Sequence, residues 1–290
     1  MTEAPGRVRA RKKPEPLPLV IARMRGDVID RELEVGSSAH YDDPAYYGST
    51  YRARVADVSY YVDLAQKVGG PVLELGVGNG RIALPLARHG IDVVGIDASQ
   101  PMLDDLRRRL VAEPPEVRSR ITLIQGDMRK KRIRRRFPLV VCAFNTALHL
   151  YTRADIEGFF ACVRAHLAPG GRFVLDVSTP QPIDLARDPE RWHGAPPFRH
   201  PAAGRVKYQE RFEYESVRQV LFVTMRFMPQ DGSPEWMTPL AHRQFFPAEL
   251  EALLHYNGLD AFDVHGDYAG GPLTAESDVM IWHARKARRA

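Results

Sequence analysis

The chain has 290 residues, of which 44% are hydrophobic, and its formal net charge is +5. This length and composition suit one large globular domain or a core domain with an appendage. No apolar run approaches the roughly 20 residues of a membrane span, and the basic, proline-rich start lacks the apolar segment of a secretory signal. We therefore expect a cytoplasmic protein that does not enter a membrane.

The positive charge is concentrated in two short segments, and the rest of the chain is net acidic. Residues 1–13 hold five basic residues and one acidic residue, whereas residues 129–136 hold seven basic residues and no acidic one. Residues 1–20 are rich in proline, arginine and lysine, which predicts a disordered basic tail. The segment 129–136 is either a solvated face or a contact for phosphate groups.

The two cysteines, Cys142 and Cys162, fall in an apolar strand and on a helix. Two buried thiols fit a reducing cytoplasm better than a disulfide framework. The chain shows no paired cysteine or histidine spacing of the kind that binds zinc. We therefore predict no metal site.

A helical segment is predicted before the first strand. Residues 40–68 begin with Tyr-Asp-Asp-Pro and continue with apolar and aromatic side chains at helical spacing. The residues at that spacing are Tyr47, Tyr51, Val55, Val58, Val62 and Ala65.

A glycine-rich turn then joins the first predicted strand, Val72–Leu75, to a helix over residues 81–88. The three glycines, Gly76, Gly78 and Gly80, occupy alternate positions. Glycine tolerates positive φ and has no Cβ, so a ligand can lie directly on the backbone. The amides at the start of the helix favour negative groups. The turn therefore predicts a site for a ligand with a charged end.

The second predicted strand, residues 92–96, is followed by Asp97. An acidic side chain at this point can accept hydrogen bonds from two ribose hydroxyls, so the strand and the turn together predict a nucleoside site. The dinucleotide fingerprint Gly-x-Gly-x-x-Gly needs its third glycine at position 81. This chain has Arg81 there and a glycine one residue earlier, which disfavours a nicotinamide cofactor.

Apolar strands and amphipathic helices continue to alternate up to residue 177, which predicts a parallel sheet covered on both faces. Residues 180–204 are predicted as a proline-rich loop, and residues 205–228 alternate like antiparallel strands. A further strand is expected within 240–246 and a helix from Pro247. The remaining predicted elements are helices over 101–111 and 154–167 and strands over 121–125, 139–144, 172–177, 261–265 and 278–284.

Four segments, residues 72–80, 93–103, 126–128 and 143–150, resemble those of class I S-adenosylmethionine (AdoMet) methyltransferases. The resemblance is to the small-molecule type, similar to glycine N-methyltransferase and the aminosugar N,N-dimethyltransferases. It implies an α/β fold with a Rossmann-like, seven-stranded, mostly parallel sheet. The implied strand order is 3-2-1-4-5-7-6, with strand 7 antiparallel.

The resemblance also implies a division of the chain. Residues 40–178 and 247–286 would form the AdoMet-binding methyltransferase domain, and residues 180–246 an antiparallel β insertion after strand 5. The aromatic residues of this insertion suit a cover for the acceptor pocket, a two-sheet core or the interface of a homodimer.

The same resemblance assigns residues to the cofactor, AdoMet. Asp97 would hold the ribose. Asp127 would accept from the exocyclic amine of adenine, Met128 would offer its amide and an apolar face, and Asn145 would lie against the methyl-donor side. The full set of implied cofactor contacts is Glu74, Gly76, Gly78, Gly80, Asp97, Ala98, Asp127, Met128, Asn145, Tyr51 and Arg54.

Purely structural roles are the alternative for several of these residues. Glu74 can orient the glycine turn through backbone amides, Asp127 can cap a turn, and Asn145 can be an ordinary polar residue at a strand end. Tyr51 and Arg54 lie on the predicted helix before the first strand, which in related enzymes folds over the cofactor. There an arginine can pair bidentately with the methionine carboxylate; otherwise the tyrosine packs on the core and the arginine is solvated.

The predicted reaction is in-line transfer of the methyl group of AdoMet to a nitrogen or oxygen of a small-molecule acceptor. His149 and Asn145 are the predicted catalytic residues, and histidine is the natural base because it titrates near neutral pH. His242 and Tyr268 are alternative bases. The rival functions are an RNA or other nucleic-acid methyltransferase that uses residues 129–136, a non-catalytic protein of the same fold, and a nicotinamide-dependent enzyme.

Overall fold

A computed structural model of the chain describes residues 17–287. Most of the predicted disordered tail, residues 1–20, lies outside this range. Its last four residues, 17–20, belong to helix α1 (Leu17–Arg25), and the disorder of the tail stays a prediction. These residues read Leu-Pro-Leu-Val, an apolar start to a helix that contacts α8 (Arg153–His166).

Helices and strands alternate in the first half of the described range, and strands dominate the second half. The other helices are α2 (Arg31–Ser38), α3 (Pro44–Tyr51), α4 (Ala56–Val68), α5 (Ala83–Arg88), α6 (Gln100–Val111), α7 (Pro115–Arg118), α9 (Pro182–Leu185) and α10 (Pro247–Tyr256), with 3-10 turns at Ala39–Tyr41 and Thr146–His149. The strands are β1 (Val72–Leu75), β2 (Val93–Asp97), β3 (Ile121–Gln125), β4 (Phe137–Cys142), β5 (Leu167–Ser178), β6 (His193–His200), β7 (Gly204–Glu215), β8 (Val220–Pro229), β9 (Trp236–Arg243), β10 (Leu259–His265) and β11 (Val279–Lys286). Between residues 17 and 287, none of the helices is long and apolar enough to cross a bilayer.

The larger sheet has the strand order β10-β11-β5-β4-β1-β2-β3. The strands from β5 to β3 run parallel to one another, whereas β11 is antiparallel to both β5 and β10. β10 and β11 take the places of strands 6 and 7. This confirms the predicted order 3-2-1-4-5-7-6 with an antiparallel seventh strand.

Both faces of this sheet are buried because its central strands carry apolar residues on both sides. Leu73 and Leu75 of β1 belong to a core shared with α8 and α10, whereas Val72 belongs to a core shared with α4, α5 and α6. The loops that follow β1, β2, β3 and β4 therefore meet at one edge, the carboxyl edge, where α/β sheets of this kind bind ligands.

The helical segment predicted over residues 40–68 is in fact two helices, α3 and α4, separated by a break at residues 52–55. Asp43 caps the first of them. α2 had no counterpart among the sequence predictions. It buries Leu33 and Gly36, which is too few residues for a clear apolar periodicity.

An antiparallel sheet of order β6-β7-β8-β9 follows β5 in the chain. Its edge strand β6 lies inside the predicted loop 180–204, so that prediction is wrong for residues 193–200. Two consecutive prolines hid the strand, and they sit at a register shift of an edge strand, where proline is tolerated. The sheet packs on α2 at Gly36, where a Cβ would come within 2.7 Å of the Ala241 Cβ.

Candidate active site

The glycine turn after β1 is fixed by its backbone conformation and by its close neighbours. Gly76 has a φ of 80°, and a Cβ there would lie 2.3 Å from Cγ2 of Thr146. Gly80 has a φ of 82°, and a Cβ there would lie 2.3 Å from Cδ1 of Leu106 on α6. Both positions therefore require glycine for conformation and for space.

Asp97, at the end of β2, joins this turn to the next loop. Its Oδ2 accepts a hydrogen bond from the Gly78 amide at 2.7 Å, and its Oδ1 accepts one from the Ser99 amide at 2.8 Å. Burial raises the pKa of Asp97, and hydrogen bonds from these amides oppose the rise. The carboxylate is thus held against the turn, at the place expected for a ribose.

Asp127, after β3, is bound by its neighbour Arg129. Nε of Arg129 donates to both carboxylate oxygens, at 2.8 and 3.0 Å, and Nη2 donates to Oδ2 at 2.9 Å. Burial pushes the pKa of Asp127 up, but the bonds from Arg129 outweigh it and hold the pKa below its usual value. Arg129 also donates to Asp155 on α8 at 2.5 Å. The first residue of the basic segment 129–136 is therefore part of this site.

These loops border one cavity of about 840 Å³ at the carboxyl edge of the larger sheet, which we call the main cavity. Its volume is in the usual range for small-molecule sites. The predicted site residues on its wall are Gly76, Gly78, Asp97, Ala98, Asp127, Met128 and His149.

The other predicted residues do not reach the main cavity. Arg54 and Asn145 line a second cavity, of about 610 Å³, and Phe144 borders both cavities. The side chain of Asn145 is engaged by β5, because its oxygen accepts from the Ser178 amide at 2.7 Å. The predicted residues that border neither cavity are Glu74, Gly80 and Tyr51.

Glu74 is a buried carboxyl group in the middle of β1, and its Oε2 has no hydrogen-bond partner. Burial raises the pKa of Glu74 well above its usual range, and the nearby Arg81 opposes the rise. A buried polar atom without a partner costs stability. Because Glu74 borders neither cavity, a donor would have to reach Oε2 through the glycine turn to relieve that cost.

Aromatic side chains form the wall at one end of the main cavity. Tyr41 and Tyr47 border it together with Phe144. Tyr51 lies behind them, with its ring centroid 4.7 Å from that of Tyr47 and 5.0 Å from that of Phe144. The Arg54 guanidinium carbon is 5.7 Å from the Phe144 ring centroid, so Arg54 contacts this wall from the side of the second cavity.

His149 belongs to a hydrogen-bond chain whose direction is fixed. The Tyr151 hydroxyl donates to the Ala241 carbonyl oxygen at 2.8 Å, so it accepts from Nδ1–H of His149 at 2.9 Å. Nε2 of His149 is then unprotonated and accepts from the Tyr41 hydroxyl at 2.7 Å. Burial, with a smaller contribution from His40, lowers the pKa of His149 to about 4. The imidazole is therefore neutral at pH 7, and Tyr41 occupies its lone pair.

The two alternative bases lie farther from the main cavity. Burial lowers the pKa of His242 well below its usual value, and its ring centroid is 5.2 Å from that of His149. Tyr268 donates to Asp176 at 3.0 Å and borders the second cavity. Neither side chain lines the main cavity.

Among the residues on the wall of the main cavity that sequence reasoning missed are Tyr41, Phe144 and Arg129. Tyr41 opens the Tyr-Asp-Asp-Pro sequence and Phe144 precedes Asn145, so both lay beside residues that were considered. In the sequence, Arg129 is one of seven basic residues within 129–136, and nothing in that pattern indicates its bond to Asp127. Within residues 17–287, no group of three or more His, Cys, Asp or Glu side chains is arranged to hold a metal ion.

Comparison with known proteins identifies the family. The methyltransferase domain family matches residues 72–171. The chain is 27% identical to the cypemycin N-terminal methyltransferase of a Streptomyces species, over 73% of this chain and 82% of that protein. It is 30% identical to the dTDP-3-amino-3,4,6-trideoxy-alpha-D-glucopyranose N,N-dimethyltransferase of Streptomyces venezuelae, over 44% of this chain and 51% of that protein. The CcbJ methyltransferase from Streptomyces caelestis aligns with a TM-score of 0.70 and 26% identity, over 80% of this chain and 96% of that one. The chain belongs to the class I AdoMet-dependent methyltransferases.

As an AdoMet-dependent methyltransferase, the protein uses AdoMet as its cofactor, which confirms that prediction. The nicotinamide-dependent and non-catalytic alternatives are wrong. Arg81 already argued against the first of them, and the structure gives this residue another partner. It donates to Oδ1 of the buried Asp57 at 2.9 Å.

Proposed function

We propose that this methyltransferase transfers the methyl group of AdoMet to a nitrogen atom of a small-molecule acceptor. The names of two relatives support nitrogen, since one is an N-terminal methyltransferase and the other an N,N-dimethyltransferase. The observation that carries the choice is the uncharged hydrogen-bond chain at the aromatic end of the main cavity.

This series of hydrogen bonds, which runs from Tyr41 through His149 to Tyr151, contains no strong base. His149 has a pKa lowered to about 4 by burial, and Tyr41 has a pKa raised well above its usual value, also by burial. Tyr41 therefore keeps its proton, which it donates to His149. A neutral amine attacks with its own lone pair, whereas an alcohol needs a base to remove its proton. The wall therefore suits an amine better than an alcohol.

We assign Tyr41 the direct contact with the acceptor and His149 a positioning role. Because the Tyr41 proton points to His149, the lone pairs of its oxygen remain to accept an N–H of the acceptor. Tyr151 and the Ala241 carbonyl hold the imidazole from the other side. We therefore replace the predicted role of His149 as the base. Its unprotonated nitrogen, Nε2, already accepts the hydrogen bond from Tyr41.

The proposed cofactor contacts are the predicted residues, divided into those that line the main cavity and those that do not. Asp97 would hold the ribose, and Asp127 with Met128 would hold the adenine, all from the wall of the main cavity. Glu74 and Arg54 lie outside this wall, since Glu74 borders neither cavity and Arg54 lines the second one, so they would serve the amino-acid end only if it reached past Phe144. When bound, AdoMet supplies an electrophilic methyl group, and these residues would align it with the acceptor nitrogen.

The proposal is tested with labelled AdoMet and acceptor pairs that share one carbon skeleton and differ only in an amine or a hydroxyl, with RNA as a third substrate. We expect label in the amines. Faster labelling of the matched alcohols or of RNA would contradict the proposal. The relatives described above lend the RNA alternative no support, and Arg129, the first residue of the basic segment, is engaged by Asp127.

A further inference from the structure

Two consecutive residues after β4 adopt a left-handed backbone without being glycine. Phe144 has a φ of 54° and Asn145 a φ of 65°. Within residues 17–287 the other non-glycine residue with positive φ is Gln219. Such a backbone persists only where its surroundings hold it, and it is concentrated at functional sites. Because Phe144 borders both cavities, this turn is the partition between them.

Asp176, on β5, accepts both backbone donors of the turn. The Phe144 amide donates to Oδ2 of Asp176 at 2.9 Å, and the Asn145 amide donates to its carbonyl oxygen at 3.3 Å. The side chain of Asp176 is itself locked in place. Its Oδ1 accepts from the Tyr61 hydroxyl at 2.5 Å and its Oδ2 from the Tyr268 hydroxyl at 3.0 Å. Asp176 is 1% exposed, so this geometry is shielded from water.

The two tyrosines connect Asp176 to a helix and a loop that are not strands of the larger sheet. Tyr61 lies on α4, and Tyr268 lies in the loop between β10 and β11. That loop is braced by Asp267, whose Oδ1 accepts from the amides of Ala269 and Gly271 at 2.8 Å each. The carboxylate is thus held from two sides, by α4 and by this loop, and it in turn holds the Phe144–Asn145 turn.

The ring of Phe144 is fixed by a separate contact. The Arg81 guanidinium carbon lies 4.0 Å from its centroid, which is a close cation–π contact. Arg81 is held in turn by the buried Asp57 on α4. The backbone and the side chain of Phe144 are therefore positioned by two different buried carboxylates.

We propose that Asp176 is a positioning residue for methyl transfer, because it fixes the left-handed Phe144–Asn145 turn and so places the Phe144 ring at the aromatic end of the main cavity. The inference rests on the proposed function, which takes this end as the place where the acceptor meets the methyl group. Without the Asp176 carboxylate the Phe144 amide loses its acceptor, the turn relaxes and the ring leaves the partition. Gly78 and Asp97 keep their places, so the cofactor still binds.

The turn is tested by crystal structures of the wild-type protein and of Asp176→Ala, both with S-adenosylhomocysteine. We expect Phe144 to leave the left-handed region in the variant and its ring to move away from Arg81. A variant in which Phe144 keeps both its φ and its contact with Arg81 would overturn the proposal. This readout needs no acceptor.

Kinetics test the consequence for the reaction. We expect Asp176→Ala to lower kcat by about tenfold to a hundredfold, while the Kd of S-adenosylhomocysteine stays within about threefold of wild type. Asp176→Asn keeps an oxygen for the Phe144 amide and should restore most of kcat. His166→Ala is the matched control, since His166 is a buried polar residue on α8 that accepts from the Ile133 amide and borders neither cavity. It should lose stability and keep its kcat.

A double-mutant cycle decides whether Asp176 acts through Phe144. We expect the double variant Asp176→Ala/Phe144→Ala to have the kcat of Phe144→Ala alone. Effects that multiply would show that Asp176 acts elsewhere and would overturn the proposal. If the wild-type protein labels alcohols or RNA rather than amines, the proposed function fails, and the crystal structures alone decide the role of Asp176. If it labels amines and Asp176→Ala keeps its kcat, the positioning role alone fails.

Discussion

Tyr41 donates a hydrogen bond to Nε2 of His149 over 2.7 Å, and the proton on the far side of the imidazole is fixed by Tyr151. Tyr41 ends the 3-10 turn Ala39–Tyr41, and His149 ends the turn Thr146–His149 after β4. The bond therefore ties the 3-10 turn Ala39–Tyr41 to the carboxyl edge of the larger sheet. It also leaves the Tyr41 oxygen as an acceptor at the cavity wall.

Removal of the Tyr41 hydroxyl should affect catalysis more than cofactor binding. We expect Tyr41→Phe to lower kcat by about tenfold, the upper end of what one hydrogen bond between neutral groups contributes, with the Kd of AdoMet nearly unchanged. Steady-state kinetics and calorimetry measure the two quantities. Tyr60→Phe is the control, because the Tyr60 hydroxyl also bonds a histidine, His283, at 2.5 Å but borders neither cavity. An equal loss of kcat in both variants would contradict the assignment.

The buried histidines should make the fold sensitive to acid. Burial lowers the pKa of His40 to about 4, and Asp43 opposes this shift, whereas an unfolded histidine titrates near 6.5. Between about pH 6.5 and 4 the unfolded chain binds more protons, so the stabilisation is complete above 6.5 and is lost as the pH falls through 4. His40→Gln should reduce this loss by up to about 3 kcal/mol. Urea denaturation at a series of pH values measures the free energy of unfolding of both proteins. An unchanged pH dependence in the variant would contradict the prediction.

Ionisation of Asp176 should lower the stability of the fold as the pH rises, whereas His40 lowers it as the pH falls. Burial raises its pKa to about 6, although hydrogen bonds from Tyr61 and Tyr268 oppose the rise, and an unfolded aspartate titrates near 3.9. Between these values the folded state binds more protons, so its contribution is complete below about 3.9 and is lost as the pH rises through 6. The stability of Asp176→Asn relative to wild type should therefore increase by about 3 kcal/mol from pH 4 to pH 7. Denaturation curves at both pH values measure this, with the exposed Asp92→Asn as control; a relative stability that does not change with pH would contradict it.

Alanine variants of two glycines with nearly the same φ can distinguish the cost of backbone strain from the cost of steric overlap. Gly80 and Gly90 have φ values of 82° and 81°, but a Cβ at Gly90 would meet no atom within 4 Å, whereas one at Gly80 would lie 2.3 Å from Leu106. Both alanine variants carry the backbone strain. Gly80→Ala adds overpacking, so we expect it to be less stable than Gly90→Ala by about 1–3 kcal/mol. Equal free energies of unfolding would show that Leu106 moves aside freely.

The parts of the fold that the sequence predicted are those set by local patterns. The glycine turn, Asp97 and the strand order follow from motifs that lie within about 25 residues or from the family resemblance they carry. Strand β6 was missed because its prolines are tolerated only at an edge, and an edge position is a property of the whole sheet.

The parts of the site that were missed depend on contacts between distant residues. Asp176 on β5 accepts from Phe144 in the turn after β4, and Asp155 on α8 accepts from Arg129 in the loop after β3. Residue type alone suggested that His149 titrates near neutral pH, yet burial moves its pKa to about 4. Burial and hydrogen-bond direction come from tertiary packing, so no sequence pattern could have shown them.

Binding of the cofactor at the glycine turn is tested most directly by calorimetric titration with S-adenosylhomocysteine. Wild type, Asp97→Ala and Asp92→Ala should be compared, since Asp97 ends β2 whereas Asp92 directly precedes it and forms an ion pair with Arg120 at the surface. We expect equal affinity for wild type and Asp92→Ala and a Kd about tenfold to a hundredfold higher for Asp97→Ala, because hydrogen bonds to a charged group contribute about 1.5–3 kcal/mol. A wild-type protein that binds no cofactor, or an Asp97→Ala variant that binds as tightly as wild type, would contradict the site.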